Sequence, residues 1–149
     1  MKAVLQRVLQ ARVIVNHEDI AKIGPGLLVF LGIGKSDDEE TCRALASKVA
    51  RLRIFDDKNG KMNLSLLDTD GSALVVSQFT LYADTNKGRR PSFNNACEPD
   101  RARQLYKRFV SELGGLGVST KTGRFGARMQ VGLVNNGPVT VLLEEPQKR

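Results

Sequence analysis

Arg128-Met129-Gln130-Val131-Gly132-Leu133-Val134-Asn135-Asn136-Gly137-Pro138-Val139-Thr140-Val141-Leu142-Leu143 decides how the C-terminal part of this chain folds. Both flanks are rich in β-branched and apolar residues and predict strand. The centre does not. Proline donates nothing to a sheet ladder, so Pro138 belongs at a turn, a bulge or an edge. Asn and Gly ahead of a strand are ordinary turn chemistry, and these residues alone predict a hairpin turn. Gly137 carries no side chain, so bare backbone there can come very close to a ligand. An X-Pro bond can also be cis, which fixes the direction of two neighbouring carbonyls.

The rest of the chain alternates between strand and helix signals. Val4–Val8 and Ala11–Val15 predict two strands, and Asn16-His17-Glu18-Asp19 turns the chain back into Ile20–Ile23. Gly24-Pro25-Gly26 breaks the chain before a buried-type strand at Leu27–Ile33. Ser36 and Glu39 predict a capping box ahead of a helix. Its core face is Cys42, Leu45, Ala46, Val49 and Leu52. A short strand at Arg53-Ile54-Phe55 leads to the turn Asp57-Lys58-Asn59-Gly60. Met62, Leu64 and Leu66 then alternate weakly with polar positions. Ala73–Phe79 predicts a central strand with a polar C-terminal end, and Asp84–Asn95 a loop. Pro99 opens a second helix whose core face is Ala102, Leu105, Tyr106, Phe109 and Leu113, and Gly114-Gly115 ends it. Val118–Lys121 returns to strand. The order predicts one α+β domain over residues 1–149, with two helices packed on a curved sheet or open barrel.

Composition narrows the class. Hydrophobic residues are 41% of 149, enough to fold rather than stay disordered. The longest apolar run, Leu27–Leu31, is far too short to span a bilayer. Cys42 and Cys97 lie far apart and suit no metal or redox spacing, so a reducing, cytoplasmic setting is expected. The net charge of +7 is unevenly spread: residues 84–130 hold ten basic and four acidic residues. Such a segment fits an anionic partner, most simply nucleic acid, or a solvated basic surface.

Conventional catalytic side chains are scarce. His17 is the only histidine and sits in a predicted turn, away from any nucleophile. No Cys/His cluster suits zinc. Asp37-Asp38-Glu39-Glu40 falls in the first turn of a helix, where carboxylates favour the helix dipole, so it reads as structural. Gly32-Ile33-Gly34-Lys35-Ser36 lacks the first glycine and spacer of a phosphate-binding loop. An enzyme built from this chain must rely on backbone amides, hydroxyls and its own substrate, with no metal and no cofactor.

Two segments about sixty residues apart, Ser77-Gln78-Phe79-Thr80-Leu81 and Asn136-Gly137-Pro138-Val139-Thr140, resemble the paired signatures of D-aminoacyl-tRNA deacylases. The resemblance spans the chain, from Met1-Lys2-Ala3-Val4 through Gly24–Val29 and Gly88-Arg89-Arg90-Pro91-Ser92-Phe93 to Glu144. It implies hydrolysis of the ester joining a D-amino acid, or glycine, to the 3′-terminal adenosine of tRNA. It implies a homodimer with sites at the subunit interface. Gly137 and Pro138 would form a chiral filter, joined by a cis peptide and inserted from the neighbouring subunit. Ser77, Gln78, Phe79 and Thr80 would form the catalytic segment. Phe125 and Gly126, near Arg124 and Arg128, would receive the terminal adenine, with Met129 in the same substrate-binding set.

This assignment has a physical logic. Mirror-image residues are equally hydrophobic, so burial cannot separate them, whereas a rigid obstacle at the α-carbon can. Backbone amides near Phe79 and Thr80 would stabilise the oxyanion, with Gln78 holding the loop. Either Thr80 attacks as a nucleophile or the 2′-hydroxyl of the terminal ribose helps activate water; the poor side-chain inventory favours the RNA. The Lys87, Arg89 and Arg90 loop would contact phosphate with little sequence specificity. A non-catalytic RNA-binding module is the alternative, although surface aromatics of an RNA-recognition motif are missing. A small-molecule hydrolase would act on free D-amino acid esters without tRNA.

Overall fold

The computed structural model describes residues 1–146. Strand β1 (Lys2–Val15) is one long element rather than the two expected. It pairs antiparallel with strand β8 (Gln130–Glu144), and its register slips between Gln6 and Gln10. The slip changes which positions are buried. Ala3 and Leu5 face the helices, whereas Val8, Ala11, Val13 and Val15 face the inside of the curved sheet. Leu9 is left exposed at the change of phase, which makes the sequence look like two strands.

Strand β2 (Glu18–Ile23) folds back on the second half of β1 through the turn at Asn16 and His17, both with positive φ. Strand β3 (Gly26–Gly32) pairs antiparallel with the first half. Strands β6 (Ser72–Ser77) and β7 (Ser119–Thr122) then add in parallel, giving the order β2-β1-β3-β6-β7 with β8 on the other edge of β1. Parallel neighbours need crossover connections. Helices α1 (Glu39–Arg51) and α3 (Pro99–Gly115) lie in those connections. The terminal strands of the series approach each other, with Lys121 Nζ on β7 donating to Lys22 O on β2 at 2.7 Å. The sheet is therefore curved and nearly closed.

Two apolar layers hold this arrangement. Val8, Val13, Leu28, Leu74 and Val76 fill the inside of the curve. Leu5, Leu27, Val29 and Val75 pack against Leu45 and Val49 of α1 and Leu105 and Phe109 of α3. Each fully buried side chain of this kind contributes about 1.5–3 kcal/mol. The expected core faces of both helices are the buried ones; Leu52 is the C-terminal cap of α1 and only half-buried.

Three local expectations are corrected. Helix α1 is capped by Asp38 with Thr41, not by Ser36 with Glu39. Asp37 is drawn into the interior, where it accepts from the Met1 α-ammonium and from Gly34 N–H, each at 2.6 Å, so the helix starts only at Asp38. Between the small paired strands β4 (Phe55–Asp56) and β5 (Met62–Leu64) and strand β6 lies a third helix, α2 (Leu66–Thr69). It starts with a capping box of Ser65 and Asp68 that overrides the weak alternation there.

The third correction concerns the C-terminal run. It is not a hairpin. Strand β8 continues through Gly137-Pro138 and pairs with β1 on both sides. Gln6 opposes Thr140 and Val8 opposes Asn135, so Asn136 to Val139 stand opposite Arg7 alone. The extra residues loop out of the ladder as a large bulge, one of the settings that tolerates proline.

Candidate active site

Strands β3 and β6 run in parallel and end together, with Leu31 paired to Ser77. Gln78 N–H still donates to Leu31 O at 2.8 Å, but the backbone then leaves the sheet in a 3₁₀ turn over Phe79–Tyr82. The first amides of such a turn have no acceptor within it. Among the described residues, Phe79 N–H and Thr80 N–H donate to no protein group. The Gln78 side-chain amide donates to Thr80 Oγ1 at 2.7 Å and so braces the turn internally.

A cleft of about 610 Å³ opens at this edge. It brings Ser77, Gln78 and Phe79 together with Phe125, Gly126 and Met129, which lie some fifty residues later in the chain. Its floor is apolar, from Leu31, Ile33, Val76 and Val131. Phe79 is 58% exposed and meets Phe93 edge-on at 5.0 Å. Phe125 is half-buried, 5.6 Å from the Tyr106 ring and 5.3 Å below the Arg103 guanidinium. Tyr106 ties α3 to β6 by donating to Val75 O at 2.6 Å, and burial pushes its hydroxyl pKa up to about 12. Thr80 sits beside the cleft and does not line it. A groove of about 500 Å³ over Gln10, Arg12, Lys22 and Val134 holds none of the expected site residues.

Chemically, the cleft offers little beyond backbone and hydroxyls. Thr80 Oγ receives a hydrogen bond from an amide, a group that cannot take its proton. Cys97 also lines the cleft, and burial raises its thiol pKa, so it stays protonated near neutral pH. His17 is exposed in the β1–β2 turn. Among the described residues, no group of three or more His, Cys, Asp or Glu side chains could hold a metal ion.

Sequence reasoning missed Cys97, Ala96 and Ala102 as cleft residues. Nothing local marks them. They reach the site only because the β6–β7 crossover lays the start of α3 across the ends of β3 and β6.

Gly137 and Pro138 are exposed and do not line this cleft within one chain. Their bulge is nevertheless firmly held. Arg7, only 7% exposed, donates from Nε to Asn136 O at 2.9 Å and from an η nitrogen to Ile54 O at 2.8 Å. The same η nitrogen lies 3.3 Å from Asp56 Oδ1. Asn135 clips the base: its Oδ1 accepts from Val139 N–H at 2.8 Å, and its Nδ2 reaches Val139 O and Gln6 Oε1. Gly137 has φ +141°, and a Cβ there would lie 2.8 Å from Val139 Cγ2. Both the conformation and the space therefore call for glycine. The Gly137-Pro138 peptide is cis.

Known proteins resemble this chain over nearly its whole length. The family described as D-Tyr-tRNA(Tyr) deacylase matches residues 4–144. A D-aminoacyl-tRNA deacylase of Roseiflexus sp. (strain RS-1) is 59% identical over 97% of this chain and 93% of its own. The protein of that name from Thermosipho africanus (strain TCF52B) is 56% identical over 97% of both. Among solved structures, one titled c-Myc DNA Unwinding Element Binding Protein is 41% identical, with a TM-score of 0.94 over 99% of this chain and all of its own. A probable eukaryotic D-amino acid tRNA deacylase, 18% identical, shares the fold with a TM-score of 0.84, covering 95% of this chain and 97% of its own.

Proposed function

The chain belongs to the D-Tyr-tRNA(Tyr) deacylase family, and from that premise we propose that it is a tRNA-editing hydrolase. It cleaves the ester between a D-amino acid, or glycine, and the 3′-terminal adenosine of tRNA. The observation that carries this is the meeting of Ser77-Gln78-Phe79 with Phe125-Gly126 and Met129 in one cleft beside two uncommitted backbone amides.

In this scheme the aminoacyl ester lies against Ser77–Thr80. The Phe79 and Thr80 amides receive the developing oxyanion, a donor pair that needs no reorganisation because the Gln78–Thr80 bond already sets the turn. Phe125, Gly126 and Met129 hold the terminal nucleoside. No side chain of the cleft is a strong base, so the 2′-hydroxyl of the ribose helps activate the attacking water. Thr80 is then not the nucleophile.

The chiral filter is the Gly137-Pro138 bulge of a second copy. The bulge is exposed, braced by Arg7 and Asn135, and does not line the cleft of its own chain, which suits an element that works in trans. A rigid backbone at the α-carbon excludes an L side chain and lets a D side chain point outward, whatever its identity. Glycine passes because rejection, not recognition, is the mechanism. The protein therefore acts as a homodimer, and its two free cysteines fit a reducing cytoplasm.

Incubating the protein with D-Tyr-tRNA and L-Tyr-tRNA and following ester loss is the test. Rapid loss of the D-ester alone is expected. Equal stability of both esters sinks the enzymatic assignment and leaves an RNA-binding module, and cleavage of free D-amino acid esters without tRNA points to a small-molecule hydrolase.

A further inference from the structure

Most of the described arginines are engaged by oxygen acceptors. Arg7, Arg12, Arg43 and Arg108 each reach a carboxylate. Arg51, Arg53 and Arg101 each donate to a neutral oxygen. Among the described residues, Arg89, Arg90, Arg103, Arg124 and Arg128 show neither contact, and of these Arg103, Arg124 and Arg128 are the ones tied to the Phe125 end of the cleft, by ring contact or by sequence. Arg124 and Arg128 flank Phe125–Ala127, which lines the cleft and is closed by Ala127 N–H donating to Arg124 O at 3.1 Å. Arg103 is fixed over the Phe125 ring from the first turns of α3. All three are exposed, and among the described residues none of them is paired with a carboxylate.

Guanidinium groups match phosphate geometry, and an aromatic ring bearing an arginine is a recurring platform for single-stranded nucleic acid. We infer that Arg103, Arg124 and Arg128 seat the phosphodiesters that lead into the terminal nucleoside of the substrate, so that the RNA strand leaves the cleft over the Phe125–Ala127 turn. This rests on the deacylase assignment and adds to it the path of the strand. These arginines touch phosphate, not the ester, and raise the encounter and binding of tRNA without entering the chemistry.

The test compares two substrates. D-Tyr-tRNA carries the phosphodiesters; D-Tyr-adenosine carries the ester and nucleoside but none of them. Each is assayed with wild type, with R103Q/R124Q/R128Q, and with R12Q, a substitution of an ion-paired surface arginine that does not line the cleft. Each phosphate contact contributes about 0.7 to the slope of log kcat/KM against log salt for a single strand. Three contacts make a slope near 2, so a fourfold rise in salt should cost wild type on the order of 20-fold more kcat/KM on D-Tyr-tRNA than the triple variant. The triple variant should show reduced kcat/KM on D-Tyr-tRNA at low salt, unchanged turnover of D-Tyr-adenosine and an unchanged Tm, and R12Q should match wild type throughout. Equal losses on both substrates, or none on D-Tyr-tRNA, overturn the inference while leaving the deacylase assignment standing. A wild-type protein that cleaves neither substrate overturns that assignment, and this inference with it.

Discussion

Replacing Arg7 by Met separates the bulge from its anchor while keeping side-chain length. Arg7 is almost fully buried and gives charged hydrogen bonds to Ile54 O at 2.8 Å and Asn136 O at 2.9 Å. A hydrogen bond to a charged group is worth about 1.5–3 kcal/mol. Ile54 is 7% exposed, so its carbonyl loses its donor without water to replace it. Asn136 is exposed and recovers part of its loss from solvent. The Asp56 contact adds little, because that carboxylate is half-exposed. The net destabilisation is about 2–4 kcal/mol, and at roughly 2–4 °C per kcal/mol for a chain of this size Tm should fall by about 5–15 °C. Losing the bond to Asn136 also frees the bulge to leave its closed position. At tenfold per 1.4 kcal/mol, discrimination between D- and L-esters should shrink by roughly 10- to 150-fold at most. Differential scanning fluorimetry reads the first effect, and hydrolysis of D- and L-Tyr-tRNA below the transition reads the second. A variant whose Tm falls as expected but whose D/L ratio is unchanged refutes the idea that the bulge backbone does the discriminating.

Further outcomes follow from the same geometry. Gly137→Ala should cut D-ester kcat/KM by about 5- to 150-fold, since an L-residue at this φ costs on the order of 1–3 kcal/mol and its Cβ collides with Val139; steady-state kinetics at matched folded fraction checks it. Thr80→Ala should keep turnover within about tenfold of wild type, the loss of one brace to the turn; abolished turnover with intact tRNA binding would instead make Thr80 the nucleophile. Burial raises the pKa of Cys42 from 9.0 to about 11 and of Tyr106 from 10.0 to about 12. Their stabilisation is complete below pH 9 and is lost as pH rises through the folded values, because the unfolded chain releases these protons first. Denaturant melts should show about 3 kcal/mol of alkaline loss from Cys42 alone, absent in Cys42→Ala.

Local signals in the sequence identified the elements better than their connections. The buried faces of α1 and α3 were legible from helical spacing, and Pro99 and the Asp57–Gly60 turn from their own backbone chemistry. What decides the C-terminal run is not local. Asn135 to Val139 has the residues of a turn, yet β1 pairs with β8 on both sides of it, and this long-range pairing turns a hairpin signal into a bulge. The α1 cap was misplaced for a similar reason, since Asp37 is taken by the distant Met1 ammonium. In the site, the two resembling segments pointed to Ser77–Thr80 and Gly137-Pro138. The polarity of the sequence around Phe125 and Met129 gave no independent sign that they face Ser77. Cys97 and Ala102 could be placed only once the parallel order of β3, β6 and β7 was known.

The most direct measurement is a crystal structure with a non-hydrolysable D-aminoacyl-adenosine analogue. We expect the analogue's carbonyl oxygen about 3 Å from the Phe79 and Thr80 amides, with Gly137-Pro138 of a second copy against its α-carbon and the D side chain pointing to solvent. An analogue bound with its α-carbon against side chains alone, or with both Gly137-Pro138 bulges facing solvent, would contradict a backbone filter supplied in trans.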